Sequence, residues 1–568
     1  MTNRTKRKSF ICAINLKGEI KEMKRASGIL LPIFSLPSKY GIGCFSKEAY
    51  QWIDQLKEAG QSYWQILPLS PTSYGDSPYQ SFSSYAGNPY FIDLEALIEE
   101  GVLTAEECEE ADFGENPDYI DYGKIHEKRF ALLRKAYERS NISQNPAYHK
   151  FIQENGYWLN DYALFMAVKQ RFEGKAWVEW AEDIRKRWAN AMEYYQRECY
   201  FDIEFYKYLQ FKFNEQWTKL KAYANENEVE IIGDIPIYVA FDSADAWASP
   251  QLFQFDDNYI PVAVAGCPPD AFSETGQLWG NPLYRWDYHK KTNYEWWCKR
   301  IAHCFKLYDV VRVDHFRGFE SYYSIPYGEE TAVNGHWEIG PGIDLFNTIH
   351  KELGQKQIIA EDLGTVTEAV IKLLKDSGYP GMKVLEFAFD PREASDYLPH
   401  NYDKNSVVYT GTHDNETLVQ WYKGLDKESK AFAEEYINSR TPVKEKYWDF
   451  IRLAMMSVAN TCITPIQDFM GLGAEARLNH PSTFGMNWKW RMKPEMISDE
   501  LNAKIYALTK LSVRLSDGMK KVEYKKMQEK ILSEQEAKEK VEKEKTAKTK
   551  KSTKKAQKIE ESVEETAK

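Results

Sequence analysis

No stretch of the 568 residues comes near the roughly 20 consecutive apolar residues of a membrane-crossing helix, and mean hydropathy is −0.60, so a membrane partner is excluded and a soluble globular chain is expected. The basic residues Met1 to Lys8 lead only into a short mixed stretch, Ser9 to Leu16. No apolar segment with a cleavage site follows, which excludes a secretory signal and implies a cytoplasmic protein. The eight cysteines are scattered, and no two form a CxxC pair. That argues against a zinc or dithiol site and for free thiols in a reducing compartment. An excess of positive charge is also lacking: 74 Lys and Arg stand against 85 Asp and Glu, for a net charge of −11. A chain that tracks phosphates along its whole length is excluded, and no nucleic-acid partner is expected. No run of metal ligands or nucleotide motif appears, so neither a metal nor an organic cofactor is expected, and nothing points to an obligate protein partner.

What the chain does have is aromatic surface, with 17 Trp, 37 Tyr and 28 Phe. These rings can fill a large core or line a groove for flat, partly apolar ligands such as sugars. Composition breaks once, near Asp517. From Met519 to Lys568 there are 16 Lys and 11 Glu and almost no aromatics, too little apolar surface for a core. The reading divides the chain into an N-terminal extension (1–24), a catalytic body (25–517) and a Lys/Glu-rich tail (518–568), disordered or a solvated helix, with a nucleic-acid or partner tail as the minor alternative because mixed-sign charges usually only solvate.

Within the body, eight short runs have the composition of buried parallel strands: Gly28–Phe34, Tyr63–Leu67, Glu230–Ile235, Asp309–Asp314, Gln357–Glu361, Val384–Phe389, Ser406–Thr410 and Cys462–Ile466. Amphipathic helical patterns separate several of them. Ser46 is placed to cap a helix that turns Tyr50, Ile53 and Leu56 inward, and Thr367 to cap another that ends at Gly378. Tyr206, Leu209, Phe213, Trp217 and Leu220 step by three and four, a helix stripe. Eight strands alternating with helices predict an α/β fold, a (β/α)8 TIM barrel, with an open doubly wound sheet as the alternative. The long connections after the second and third strands predict mostly helical subdomain insertions, at about 90–229 and 240–308.

In a barrel, acidic groups at the carboxyl ends of strands are the catalytic candidates. Asp234, Asp314 and Glu361 close three of the runs, and Asp414 follows a fourth. Two carboxyl groups flanking a glycosidic bond can act as nucleophile and proton donor, with retention when they lie roughly 5–5.5 Å apart. Arg312 lies two residues before Asp314, on the same face of a strand, where it can partner that carboxylate. Asp362 is turned the opposite way from Glu361 and is expected to tie down the turn.

The residues then become recognisable. Arg312-Val313-Asp314-His315-Phe316 resembles the fourth-strand segment of the α-amylase superfamily, Ile359-Ala360-Glu361-Asp362 its fifth-strand segment, and Thr412-His413-Asp414-Asn415 its seventh. The stretches Asp76-Ser77-Pro78-Tyr79-Gln80, Gly233-Asp234-Ile235-Pro236 and Pro268-Pro269-Asp270 through Trp279-Gly280-Asn281-Pro282 narrow the resemblance. From about Arg25 to Ser516 the chain resembles the 4-alpha-glucanotransferase family, also called amylomaltase or disproportionating enzyme, of glycoside hydrolase family 77 type. The resemblance implies a retaining transfer of α-1,4-glucan segments to the 4-hydroxyl of an acceptor, with maltooligosaccharides and starch or glycogen fragments as partners. It implies Asp314 as nucleophile, Glu361 as acid and base, and Asp414 as the carboxylate that supports the transition state. It implies substrate contacts at Arg312, His413, Ser77, Tyr79, Asp270, Glu274, Trp279 and Asn487. Ser482 and Met486 depart from the family pattern, which has glycine at these positions. Asp234 is left outside the catalytic set, as a brace. An α-amylase-like hydrolase and an inactive glucan binder remain the alternatives, because spacing does not report whether water or a sugar takes the glycosyl group.

Overall fold

Eight strands run parallel in one sheet, and each is buried along nearly its whole length, as a sheet covered on both faces must be. In a computed structural model, which describes residues 23–566 apart from 74, 270–272, 365 and 484, twelve strands follow in chain order. They are β1 (Ala26–Leu30), β2 (Tyr63–Gln65), β3 (Glu230–Ile235), β4 (Ala263–Cys267), β5 (Gln277–Pro282), β6 (Val310–Val313), β7 (Ser321–Pro326), β8 (His336–Ile339), β9 (Ile358–Ala360), β10 (Gly381–Val384), β11 (Ser406–Tyr409) and β12 (Thr461–Pro465). The large sheet has the order β10-β11-β12-β1-β2-β3-β6-β9. Its two ends meet where the Ala360 N–H donates to the Pro380 carbonyl at 3.0 Å. The sheet therefore closes into a (β/α)8 barrel, and the open-sheet alternative falls.

All eight expected strands are present, two of them displaced. β1 ends at Leu30, and the rest of that apolar run turns into the 3-10 helix Ile33–Ser35 behind Pro32, which has no N–H for a ladder. The turn is itself buried, so apolar composition continues beyond the strand. The sixth barrel strand is Gly381–Val384, and Leu385–Phe387 is a 3-10 turn at its end. Here Gly381 belongs to the strand because a Cβ would stand 2.5 Å from the Asp362 carboxylate. That carboxylate accepts the Met382 N–H at 2.7 Å, so Asp362 does tie β9 to β10.

The helices form for the expected local reasons. Thr367 accepts the Val370 N–H, and Gly378 ends that helix at φ 72. The helix Lys47–Glu58 buries Trp52 along with Ile53 and Leu56, while the Ser46 hydroxyl at its start bonds to Glu48 and Ser38 rather than to the backbone. The connection after β2 is helical, dominated by Pro146–Arg171 and Tyr200–Glu226, and the Tyr206-to-Leu220 stripe is buried. The connection after β3 also holds more helix than strand, with Glu295–Leu307 its longest element. It contributes β4 and β5 to an antiparallel sheet of order β5-β4-β7-β8, whose other strands follow β6. The chain divides into two units between Arg514 and Leu515. The second carries one long helix, Asp517–Thr566. No helix among the described residues is long and apolar enough to cross a membrane.

Gly233 shows how tightly the barrel wall is fitted. A Cβ there would lie 2.2–2.3 Å from the Tyr308 ring, whose hydroxyl accepts the Leu69 N–H. Gly233→Ala is therefore expected to destabilise the fold by about 1–3 kcal/mol. Denaturant titration would show it as a lowered midpoint with an unchanged slope.

Candidate active site

The register of the barrel fixes the site. Val313 on β6 pairs with Ala360 on β9, so the residues that follow, Asp314 and Glu361, leave adjacent strand ends side by side. Neighbouring strands are about 4.8 Å apart, so the two carboxyl groups start from positions close enough to flank one glycosidic bond. Backbone hydrogen bonds hold both ends: the Asp314 N–H donates to Ile235 O, and the Glu361 N–H to Val313 O, each at 3.0 Å.

One step deeper, Asp234 on β3 pairs in register with Arg312 on β6. Asp234 is fully buried and Arg312 is 3% exposed. Arg312 Nη1 donates to both oxygens of Asp234 at 2.8 and 2.7 Å, and reaches Asp314 Oδ1 at 3.1 Å. Its Nε lies 3.4 Å from Met382 Sδ. The Tyr79 hydroxyl donates to the outer oxygen of Asp234 at 2.9 Å, and its ring stacks on His413 with centroids 5.1 Å apart. Asp234 thus acts as the expected brace, and the structure names Arg312 as what it holds.

The three candidate carboxyls stand in different surroundings. Burial and the negative charge of Asp314 push Glu361 above its ordinary value. Two N–H groups, His315 at 2.6 Å and Leu363 at 2.7 Å, oppose that shift and fix its orientation. Asp314 is also raised, by burial and by Asp234 and Asp414, but the Arg312 guanidinium counters the rise. The carboxyl that touches the cation is the better anion of the pair, and Glu361 is the better proton carrier. Asp414 sits well below the usual carboxylate range. Against the desolvation that would raise it, His413 stands 3.4 Å away and Asn479 Nδ2 donates to it at 2.6 Å. Although burial lowers it, His413 is raised in turn by Asp414.

Trp279 is half-buried on the other flank and meets His315 edge to face, with centroids 4.9 Å apart. His315 adopts a left-handed conformation, φ 51 and ψ 47, which lets its backbone serve Glu361. Its imidazole is held neutral by burial and by Arg317, with its pKa near 3. Among the described residues its Nε2 has no hydrogen-bond partner. Sequence reasoning quoted His315 in a motif and gave it no role; its position directly after the nucleophile candidate was the available signal.

The remaining candidates are more peripheral. Ser77 accepts the Tyr79 N–H at 3.3 Å and so orients that residue. Glu274 is exposed in the turn before β5. Asp270 lies outside the described residues. Asn487 spends its amide within its own loop, on the His480 N–H and on the His480 and Thr483 carbonyls. It thereby holds the loop that delivers Trp488, whose ring lies 5.9 Å from both Tyr79 and His413. Ser482, where the family pattern has glycine, takes φ 62, a conformation that glycine adopts without strain. No group of three or more His, Cys, Asp or Glu among the described residues could hold a metal ion.

Comparison with known proteins identifies the relatives of this chain. The family model described as 4-alpha-glucanotransferase matches residues 31–498. A 4-alpha-glucanotransferase of Clostridium butyricum is 51% identical over 482 residues, covering 84% of this chain and 99% of the relative. One from Streptococcus pneumoniae is 47% identical over 499 residues, 87% of this chain and 99% of the relative. The solved amylomaltase from Streptococcus agalactiae in complex with acarbose is similar at TM-score 0.84 and 42% identity, covering 86% of this chain and 100% of that one.

Removing one partner of a buried ion pair strands the other charge. Arg312→Met is expected to destabilise the fold by about 3–5 kcal/mol, and adding Asp234→Leu to recover much of that loss. Equilibrium unfolding of the single and double variants checks it.

Proposed function

This chain belongs to the 4-alpha-glucanotransferase family, and from that premise we propose which residues at the barrel mouth carry the transfer. The activity is the movement of a segment of α-1,4-glucan to an acceptor glucan. Asp314 attacks the anomeric carbon and forms the covalent glycosyl-enzyme, while Glu361 gives its proton to the departing 4-oxygen. The acceptor 4-hydroxyl then loses its proton to Glu361 and displaces Asp314, so two inversions give retention. Asp414 remains an anion throughout and binds hydroxyls of the sugar ring, favouring the positive charge that develops on it. Arg312 keeps Asp314 ionised. Tyr79 and His413 form the wall against which the reacting sugar rests, with Ser77 orienting Tyr79.

The observation that carries this reading is the unequal pair of neighbouring carboxyls, one against Arg312 and the other buried without a cation in contact. Transfer rather than hydrolysis asks for a seat for the acceptor and little access for water. Trp279 suits that side, with a half-buried indole face for a sugar ring. Asp270 and Glu274 are assigned to the substrate by family resemblance alone. Asn487 acts through its loop. Maltooligosaccharides and fragments of starch or glycogen are the proposed donors and acceptors.

Incubation with maltotriose tests the reading. Longer glucans and free glucose should appear while reducing ends stay constant, and rising reducing ends with only short products would contradict it. Asp314→Ala should lower the rate by at least about a thousandfold. The reaction needs Glu361 protonated and Asp314 ionised. The rate should therefore fall as pH rises through the raised value of Glu361 and fall again as Asp314 takes up a proton in acid. Glu361→Gln should remove the alkaline limb along with most of the activity, as read from kcat/KM against pH.

A further inference from the structure

The relatives above are matched over 99% of their own length by 84–87% of this chain, and the family match ends at residue 498. The helix Asp517–Thr566 therefore lies outside what glucan transfer in this family requires. It also lacks aromatic faces for sugar rings to stack on, since its one aromatic residue is Tyr524.

Charge is not spread evenly along this helix. From 517 to 544, eight Lys and eight Asp and Glu cancel. Among the described residues the ion pairs of the helix all fall in that part: Lys520–Asp517, Lys526–Glu523 and Lys543–Glu539. From 545 to 558 there are seven Lys, at 545, 548, 550, 551, 554, 555 and 558, and no acid. At 1.5 Å per residue these 14 positions span about 21 Å, roughly one positive charge every 3 Å. Lys550 and Lys554, Lys551 and Lys555, and Lys554 and Lys558 stand one turn apart, and like charges at that spacing oppose the helix. The exposed block has no apolar face to hold it folded. A matching polyanion would relieve that repulsion.

We infer that Lys545–Lys558 is a docking segment for the phosphodiester backbone of nucleic acid, bound without sequence preference. The spacing of its charges is close to the roughly 3.4 Å between phosphates along one strand. Half of the block's 14 residues are Lys and it has no Arg, Asn or aromatic residue, so contact to phosphate dominates over base reading. A lipid surface fits poorly. The side away from the lysines carries Thr546, Thr549, Ser552 and Thr553, whose hydroxyls donate to carbonyls of the helix, and there is no apolar face to insert. The whole-chain charge that argued against such a partner is an average: the tail's +5 and the body's −16 conceal a block of +7.

The test measures fluorescence anisotropy of a labelled short DNA duplex and a labelled single-stranded RNA with the full chain. The comparison variant carries Lys548→Gln, Lys551→Gln, Lys554→Gln and Lys555→Gln. Affinity for at least one probe should fall by roughly 10³-fold or more between about 50 and 200 mM salt. In the variant, the slope of log affinity against log salt should shrink by about 3 to 4 for the duplex, or about 3 for the single strand. Maltotriose disproportionation should be unchanged in the variant, which shows that the body is intact. The two probes tell duplex from single strand. No binding to either probe at the lowest salt, a slope unchanged in the variant, binding to phosphatidylserine vesicles but not to nucleic acid, or salt-sensitive self-association in place of probe binding would each overturn the inference.

Discussion

A guanidinium shut inside the barrel, held from below by Asp234 and touching Asp314 above, is the constraint on which the rest of the site depends. Buried ion pairs of this kind contribute little net stability, because desolvation offsets their attraction. Arg312 therefore earns its place through the field it creates at the mouth. It separates two carboxyls that adjacent strands force to be neighbours, and which would otherwise compete for one proton. Asp314 has the cation, and Glu361 has burial plus a negative neighbour.

The remaining parts keep that separation fixed. Both carboxyls start from strand ends rather than from loops, and the two N–H bonds to Glu361 come from residues that follow those ends, His315 and Leu363. The left-handed turn at His315 serves twice: its N–H points at Glu361 and its ring goes to Trp279. Asp414 is set apart from the pair by His413 and the Asn479 amide, which hold it well below the usual carboxylate range. Rigid placement of this sort is what lets a site act on charge that exists only in the transition state.

Much of this was legible in the sequence, and the exceptions have physical causes. Eight apolar runs marked eight strands, because a parallel sheet covered on both faces leaves composition little freedom. The ends of β1 and β10 were misplaced, because buried 3-10 turns are as apolar as the strands they follow, and because Gly381 reads as a turn when its smallness serves Asp362. The second sheet escaped notice, since β5 is only partly buried and β4 finds β7 across a barrel strand. Asp314, Glu361 and Asp414 announced themselves by position at strand ends. Which residue Asp234 braces needs a cross-strand register, and the loop-holding function of Asn487 needs a fold. In the tail the order of Lys and Glu carries information that their totals do not.

The central claim is that Asp314, kept ionised by Arg312, becomes covalently bonded to the sugar. Incubating the Glu361→Gln variant with an activated maltotriosyl fluoride forms the glycosyl-enzyme without needing the acid and slows its breakdown. Peptide mass spectrometry of the quenched protein then locates the sugar. The account predicts one maltotriosyl group on the peptide that contains Asp314, lost on adding acceptor glucan. A label on another carboxylate would contradict it, as would turnover of the fluoride by this variant with Asp314 also changed to Ala.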